Sequence, residues 1–258
     1  MARKWTEAEE NLHRDELTKL YVEKNLSMRE IAHNLGIPEN TVYDRMVRLG
    51  IRSLRHQKSG YNNVRRDITV PCYSPQLAEF IGILLGDGHI SSTQVTVTLG
   101  TKERSYAKYV AQLMTELFTA KAKIAVSPKG YSVVYIGSAK LVRWLRDMGL
   151  RSNKVRDQVD IPAWIFERKE YIVSTIRGLI DTDGSVYKLR FGTQISFTNY
   201  SVPLLGSFRR ALVEIGLQPS KISGKNVYIT RRADLTRYAK IVGFSNKKHE
   251  ERFYGCVA

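Results

Sequence analysis

Two segments of the chain, Phe80-Ile-Gly-Ile-Leu-Leu-Gly-Asp-Gly88 and Ile176-Arg-Gly-Leu-Ile-Asp-Thr-Asp-Gly184, carry an apolar helical run to its end on an aspartate. In each, small residues stand four apart on one helical face, Gly82 with Gly86 and Gly178 with Thr182. Two such helices can approach to backbone contact while their apolar flanks turn into separate cores. Helices joined this way end side by side and set Asp87 beside Asp183, where helix-end carbonyls already concentrate negative potential. Like charges at that range call for a divalent cation to neutralise them. Donors that are all oxygen suit Mg²⁺, or Mn²⁺ in its place, and such metal beside a phosphodiester can activate water and stabilise a leaving oxygen. Asp-Gly is also an ordinary helix-stop signal. Its occurrence twice, in equivalent settings, favours the chemical reading.

The elements that must position these aspartates repeat as well. Residues 74–155 and 166–250 each read as helix, two strands, helix, two strands, helix, so the expected fold is α+β. It consists of two pseudo-symmetric αββαββα repeats whose antiparallel sheets form a saddle. Ser74-Pro75 caps the first repeat-opening helix, and Tyr171 lies at the start of the second. The alternating runs Gln94-Val-Thr-Val-Thr-Leu99 and Gln194-Ile-Ser-Phe-Thr-Asn199 follow, then Val134-Tyr-Ile136 and Val227-Tyr-Ile229. Gly149-Leu-Arg-Ser-Asn-Lys154 matches Gly243-Phe-Ser-Asn-Lys247 with one residue fewer. Strand parity turns Val95, Val97 and Leu99 one way and Gln94, Thr96 and Thr98 the other. Ile195 and Phe197 likewise oppose Gln194, Ser196 and Thr198, and Lys188 and Arg190, alternating with Tyr187, Leu189 and Phe191, are expected to join the polar surface.

Residues 1–56 read as a small all-α domain. Ser27 and Glu30 form a capping box opening a helix at Met28, Gly36 ends it, and Pro38 begins another from Glu39. Ala32, Gly36 and Val42 at this spacing resemble the helix-turn-helix DNA-binding family, in which the small residue admits the neighbouring helix and the glycine takes the turn. The last of these helices offers Asn40, Thr41, Tyr43, Arg45 and Arg48 to base edges and phosphates. Residues 57–73 complete a basic linker that carries Lys58, Arg65 and Arg66 and follows Arg52 and Arg55.

The 258 residues hold 41 Lys and Arg against 25 Asp and Glu, a formal charge of +16, and most of the excess falls in residues 74–258. Charge scattered over strands and helices fits a polyanionic partner better than a membrane surface, and double-stranded DNA is the expected one. No apolar run reaches the roughly 20 residues of a membrane span, and the start of the chain is too polar for a signal peptide, so a soluble, cytoplasmic protein is expected. The two cysteines, Cys72 and Cys256, lie far apart and form no zinc or disulfide pattern.

The paired nonapeptides resemble the motifs of the LAGLIDADG homing endonucleases, over the span from about Ser74 to the C-terminus. The resemblance implies a monomeric, magnesium-dependent enzyme that hydrolyses both strands of a long, pseudo-symmetric DNA site across the minor groove. It carries the metal-ligand role onto Asp87 and Asp183 and a catalytic lysine onto Lys154 and Lys247. It carries a water-assisting polar residue onto Asn199, where the first repeat has Leu99. Asp181 also matches the motif, but Leu85 stands at its counterpart, so Asp181 is not expected to be a symmetric ligand. The polar strand faces are expected to lie in the major groove. Two alternatives share this pattern: a DNA-binding transcription regulator that does not cut, and an intron maturase that binds RNA. An intein would begin on Cys or Ser and end on His-Asn; Met1 and Cys256-Val-Ala258 supply neither, so none is expected here.

Overall fold

The computed structural model describes residues 5–24, 26–51, 68–190 and 192–257, and the chain divides into two units, residues 1–62 and 63–258. The linker's Arg52, Arg55, Lys58, Arg65 and Arg66, and also Phe191, lie outside the described residues.

The first unit is helical. Helix α1 (Glu7–Thr18) starts on a Thr6–Glu9 capping box and runs into a short wider-pitch turn, Lys19–Glu23. Helix α2 (Met28–Leu35) starts on the Ser27–Glu30 capping box, in which the Glu30 and Ser27 backbone amides are each satisfied by the other side chain at 3.2 and 2.7 Å. It stops at Gly36, whose φ of 63° is a left-handed conformation that a β-carbon would oppose. Pro38 then opens α3 (Glu39–Arg48). Leu17, Tyr21, Ile31, Val42, Met46 and Leu49 form the core of this unit, with Val42 fully buried between α2 and α3.

The second unit opens with α4 (Pro75–Leu85), capped by the Ser74 hydroxyl, which accepts the Leu77 amide at 3.2 Å. Every residue from Leu77 to Leu85 is buried, Glu79 the one charged residue among them. Strands β1 (Gly88–Ile90) and β2 (Gln94–Leu99), helix α5 (Arg104–Phe118), strands β3 (Lys123–Val126) and β4 (Ser132–Gly137) and helix α6 (Ala139–Asp147) follow. The first sheet is antiparallel in the order β1-β2-β4-β3. After a 3₁₀ turn at Ala163–Glu167, the second repeat runs through α7 (Lys169–Asp183), β5 (Gly184–Leu189), β6 (Gly192–Thr198), α8 (Val202–Glu214), β7 (Asn226–Ile229), α9 (Arg232–Ile241) and α10 (Lys247–Val257). Its sheet has the order β5-β6-β7. One buried apolar core runs through both repeats.

Two expectations need correction. Among the described residues the second repeat forms three strands, not four. The segment that should mirror β3 contains Pro219, which has no amide to donate. Beside it, the Ser220 hydroxyl rather than a backbone carbonyl accepts the Tyr228 amide, leaving one isolated bridge, Ser223 to Asn226. The end of the linker is not a tether either. Ile68 is buried in the core, the Thr69 amide donates to the Phe118 carbonyl at 3.2 Å, and Tyr73 stacks on Trp164 at 4.2 Å.

Candidate active site at the paired helix ends

Helices α4 and α7 cross at their glycines. A β-carbon on Gly82 would lie against the Thr175 carbonyl and 3.1 Å from the Leu179 nitrogen; one on Gly178 would lie against the Glu79 carbonyl and 2.8 Å from the Ile83 nitrogen. The Thr175 hydroxyl donates across the contact to the Ala78 carbonyl at 3.1 Å. Near the helix ends, the space a β-carbon of Gly86 would fill is taken by the Thr182 side chain, and the Asp183 carboxyl carbon would be 3.6 Å from that position. The four small residues thus bring the two helix ends together.

Asp87 and Asp183 are half-buried at these ends. Burial, the charge of Asp183 and the charge of Glu103 push the Asp87 carboxyl up to about 6, against the pull of Lys154 and Lys248. Burial likewise raises Asp183, opposed by Lys154 and by a hydrogen bond from Asn199 Nδ2 at 2.9 Å. Lys154 belongs to both: burial lowers its pKa, and Asp183 and Asp87 raise it. Its ammonium donates to the Gly86 carbonyl at the end of α4, where the helix dipole favours a cation. Asn199 is half-buried and engaged at both ends, since its Oδ1 accepts the Ser201 amide at 2.9 Å while its Nδ2 orients the Asp183 carboxylate. At the equivalent place Leu99 is buried.

Lys247 is not brought to this cluster. It is exposed on a cleft that it lines together with Lys248, Lys102, Ser105, Glu251 and Arg252, and of the two lysines it is Lys248 that lowers the pKa of Asp87 and pairs with Glu103 at 2.8 Å. Adjacent residues on a helix point about 100° apart, so a one-residue error in alignment selects the wrong face. Aligning the shared Ser-Asn-Lys requires a one-residue deletion and selects Lys247. An ungapped count from Gly149 and Gly243, both at positive φ, places Lys248 opposite Lys154. Glu103, which caps α5 in position though not by hydrogen bond, had no motif to announce it.

Asp181 is fully buried, and its Oδ2 accepts the backbone amides of Ser245 and Asn246 at 2.7 and 3.1 Å. Burial and the nearby Glu79 push its carboxyl up to about 8, despite those two bonds and Arg177. It anchors the start of α10. Glu79 accepts from Tyr109 and Ser245 at 2.7 Å each and pairs with Arg177 at 3.2 Å, a buried network beside the helix crossing.

The open sheet faces also differ from expectation. Gln94 and Gln194 are half-buried and Thr98 is exposed; Thr96 donates to the His89 carbonyl at 3.4 Å and Thr198 to Asn226 Oδ1 at 2.6 Å. Ser196, on the central strand between Ser185 and Tyr228, is only 6 % exposed. Lys188 and Arg190 are exposed; Lys188 shares the parity of Val186 and pairs with Thr193, whose hydroxyl donates to the Cys256 carbonyl of α10, and Arg190 follows the end of the strand. The open parity of β5 carries Ser185, Tyr187 and Leu189 instead. In the first unit Asn40 and Tyr43 are exposed, whereas Thr41 and Arg45 are half-buried. The Arg45 and Arg48 guanidinium groups lie 5.5 and 4.4 Å from the Trp5 ring centre, and Arg48 pairs with Glu10 at 2.8 Å.

A family profile described as LAGLIDADG-like domain matches residues 74–149 and 170–243. Among curated proteins, the chain is similar to the replication factor C small subunit of Methanocaldococcus jannaschii, 26% identical over 186 residues, which are 68% of this chain and 10% of that protein. The Thermococcus kodakarensis replication factor C small subunit is 27% identical over 186 residues, 68% of this chain and 20% of that protein. The chain therefore spans a fifth or less of these curated relatives. Among solved structures, mesophilic variants of the homing endonuclease I-DmoI match with TM-score 0.50 and 18% identity, over 66% of this chain and 95% of theirs. The N-terminal LAGLIDADG domain of DUF199/WhiA matches with TM-score 0.49 and 18% identity, over 72% of this chain and 90% of its own. The I-DmoI likeness speaks for the fold alone. No described helix is long and apolar enough to cross a membrane. With the profile covering both repeats and more than half of its residues, the chain belongs to the LAGLIDADG-like domain family.

Proposed function

We propose that the two-repeat unit is a metal-dependent, site-specific endonuclease that cuts both strands of duplex DNA, with Asp87 and Asp183 as its metal ligands. The observation that carries this reading is the pair of carboxylates held at the crossed helix ends, close enough for Asp183 to raise the pKa of Asp87, with Lys154 shared between them. The donor set fits Mg²⁺ or Mn²⁺, since carboxylate oxygens suit hard cations and the charge of such an ion offsets their burial and repulsion. Among the described residues no three His, Cys, Asp or Glu gather as a metal cage. Mg²⁺ held by Asp87 and Asp183 would lower the pKa of a bound water and stabilise the leaving oxygen. The chain's own residues do the rest. Asn199 fixes the orientation of Asp183, and Lys154 and Lys248 offer cations to the developing phosphate charge. The net positive charge supports DNA as the polyanion.

The N-terminal unit adds a helix-turn-helix in this reading, with Asn40, Thr41 and Tyr43 facing DNA. Arg45 and Arg48 back that helix through Trp5 and Glu10. The same α2–α3 arrangement favours a second reading, a DNA-binding regulator that does not cut. A library of randomised duplexes incubated with the protein and Mg²⁺ separates the two: the proposal expects double-strand breaks at one site, lost in Asp87→Asn and in Asp183→Asn with binding retained. Binding without breaks by the wild type, or wild-type rates in either variant, overturns it.

A further inference from the structure

Glu103 is a buried carboxylate with no assigned task. It stands at the start of α5, four residues past Leu99, and so brings a charged group to the pocket of Asp87 where the other pocket has the amide of Asn199. Three donors converge on it. Lys248 Nζ and Asn246 Nδ2 donate to its Oε1, each at 2.8 Å, and the Gly100 amide donates to its Oε2 at 2.8 Å. A carboxylate this far from water is costly unless paired and hydrogen-bonded, and here the bonds hold its pKa below the usual value against the upward push of burial.

The other end of the pair is fixed as firmly. Asp181 Oδ2 takes the Ser245 and Asn246 amides, Asn246 Oδ1 takes the Lys248 amide at 3.2 Å, and Asn246 Nδ2 also reaches the Asp181 carbonyl at 3.0 Å. Lys248 is thus held by its backbone through Asn246 and by its ammonium through Glu103, yet its side chain keeps 29% of its exposure. A cation held at one side and open on the other is set to meet a second anion. The first repeat has no such grip: among the described contacts, Lys154 donates to a backbone carbonyl, and Leu85 stands where Asp181 would be.

We propose that Glu103 is a positioning residue of the Asp87 pocket, gripping the Lys248 ammonium so that it faces the phosphate cut beside Asp87, on one DNA strand only. The proposal rests on the endonuclease reading and adds to it a device that makes the two pockets unequal.

Single-turnover cleavage of end-labelled duplex by the full chain tests it. Glu103→Gln keeps the shape and loses the charge. It should slow one strand roughly ten-fold or more with DNA affinity unchanged, because the lost contact acts on the transition state rather than on binding. Lys248→Met should slow the same strand, and the double variant should be no slower than Lys248→Met alone. Equal slowing of both strands, weakened binding with an unchanged rate, or additive effects overturn the proposal. A second readout needs no cleavage. In a lysine-selective ¹⁵N spectrum, Lys248 should give an ordered, slowly exchanging ammonium signal that Glu103→Gln abolishes; its absence in the wild type also overturns the proposal. A wild type that cuts nothing refutes the endonuclease reading, and the ammonium signal then decides the grip independently.

Discussion

Replacing Gly178 by alanine adds one methyl where α4 and α7 come closest, and that methyl would meet backbone rather than movable side chain. It would press on the Glu79 carbonyl, 2.8 Å from the Ile83 nitrogen and 3.1 Å from the Gly82 carbonyl carbon. No rotamer change relieves such contacts, so the helices must part. Overpacking of this kind costs about 1–3 kcal/mol, and loosening the bond from Thr175 to Ala78 costs about 1 kcal/mol more. Against this, alanine is favoured over glycine inside a helix by about 1 kcal/mol. The net loss is about 1–3 kcal/mol, or roughly 2–12 °C in Tm for a unit of this size. Gly206, exposed on α8 with nothing within 4 Å of its added β-carbon, is the control. Gly206→Ala should be neutral or stabilising by up to about 1 kcal/mol. Thermal unfolding followed by circular dichroism compares the two. If Gly178→Ala melts at or above the wild type, the helices are not held at backbone contact and the argument for juxtaposed carboxylates loses its basis.

Other consequences follow from particular contacts. Burial pushes the Asp181 carboxyl up to about 8, well above the ordinary carboxylate range, so its contribution to stability is complete below about pH 4 and is lost as the pH rises toward 8. Denaturant titrations over that range should show the wild type losing stability more steeply than Asp181→Asn; parallel curves would contradict the burial argument. Asn199→Leu removes the hydrogen bond that orients Asp183 and should slow one strand roughly 5-fold to 150-fold, from about 1–3 kcal/mol in the transition state. Equal strand rates in that variant would show that Asp183 is oriented by something else. Ser27→Ala deletes the α2 cap and should cost the N-terminal unit about 1 kcal/mol, measurable by hydrogen exchange of its core amides. Unchanged protection there would show the cap to be idle.

Much of this protein is local, and local features are written in the sequence. The Ser27–Glu30 box, the stop at Gly36 and the cap at Ser74 depend on residues a few positions apart, and all form as their spacing dictates. The glycines at four-residue spacing and the doubled Asp-Gly ends announce the crossing of α4 and α7, because close approach leaves room for little else. What joins distant segments was decided by the tertiary structure. A single residue of register separates Lys247 from Lys248; an ungapped count and a one-residue deletion both fit the sequence, and the anchoring of α10 by Asp181 selects the second lysine. The pairing of Lys188 with Thr193, beside the Cys256 carbonyl of α10, likewise comes from a ladder between separate strands. Glu103 becomes part of the site only when the start of α10, more than a hundred residues later, delivers Asn246 and Lys248 to it. Backbone geometry follows from neighbours in sequence, whereas a buried charge takes its meaning from the partners that folding brings to it.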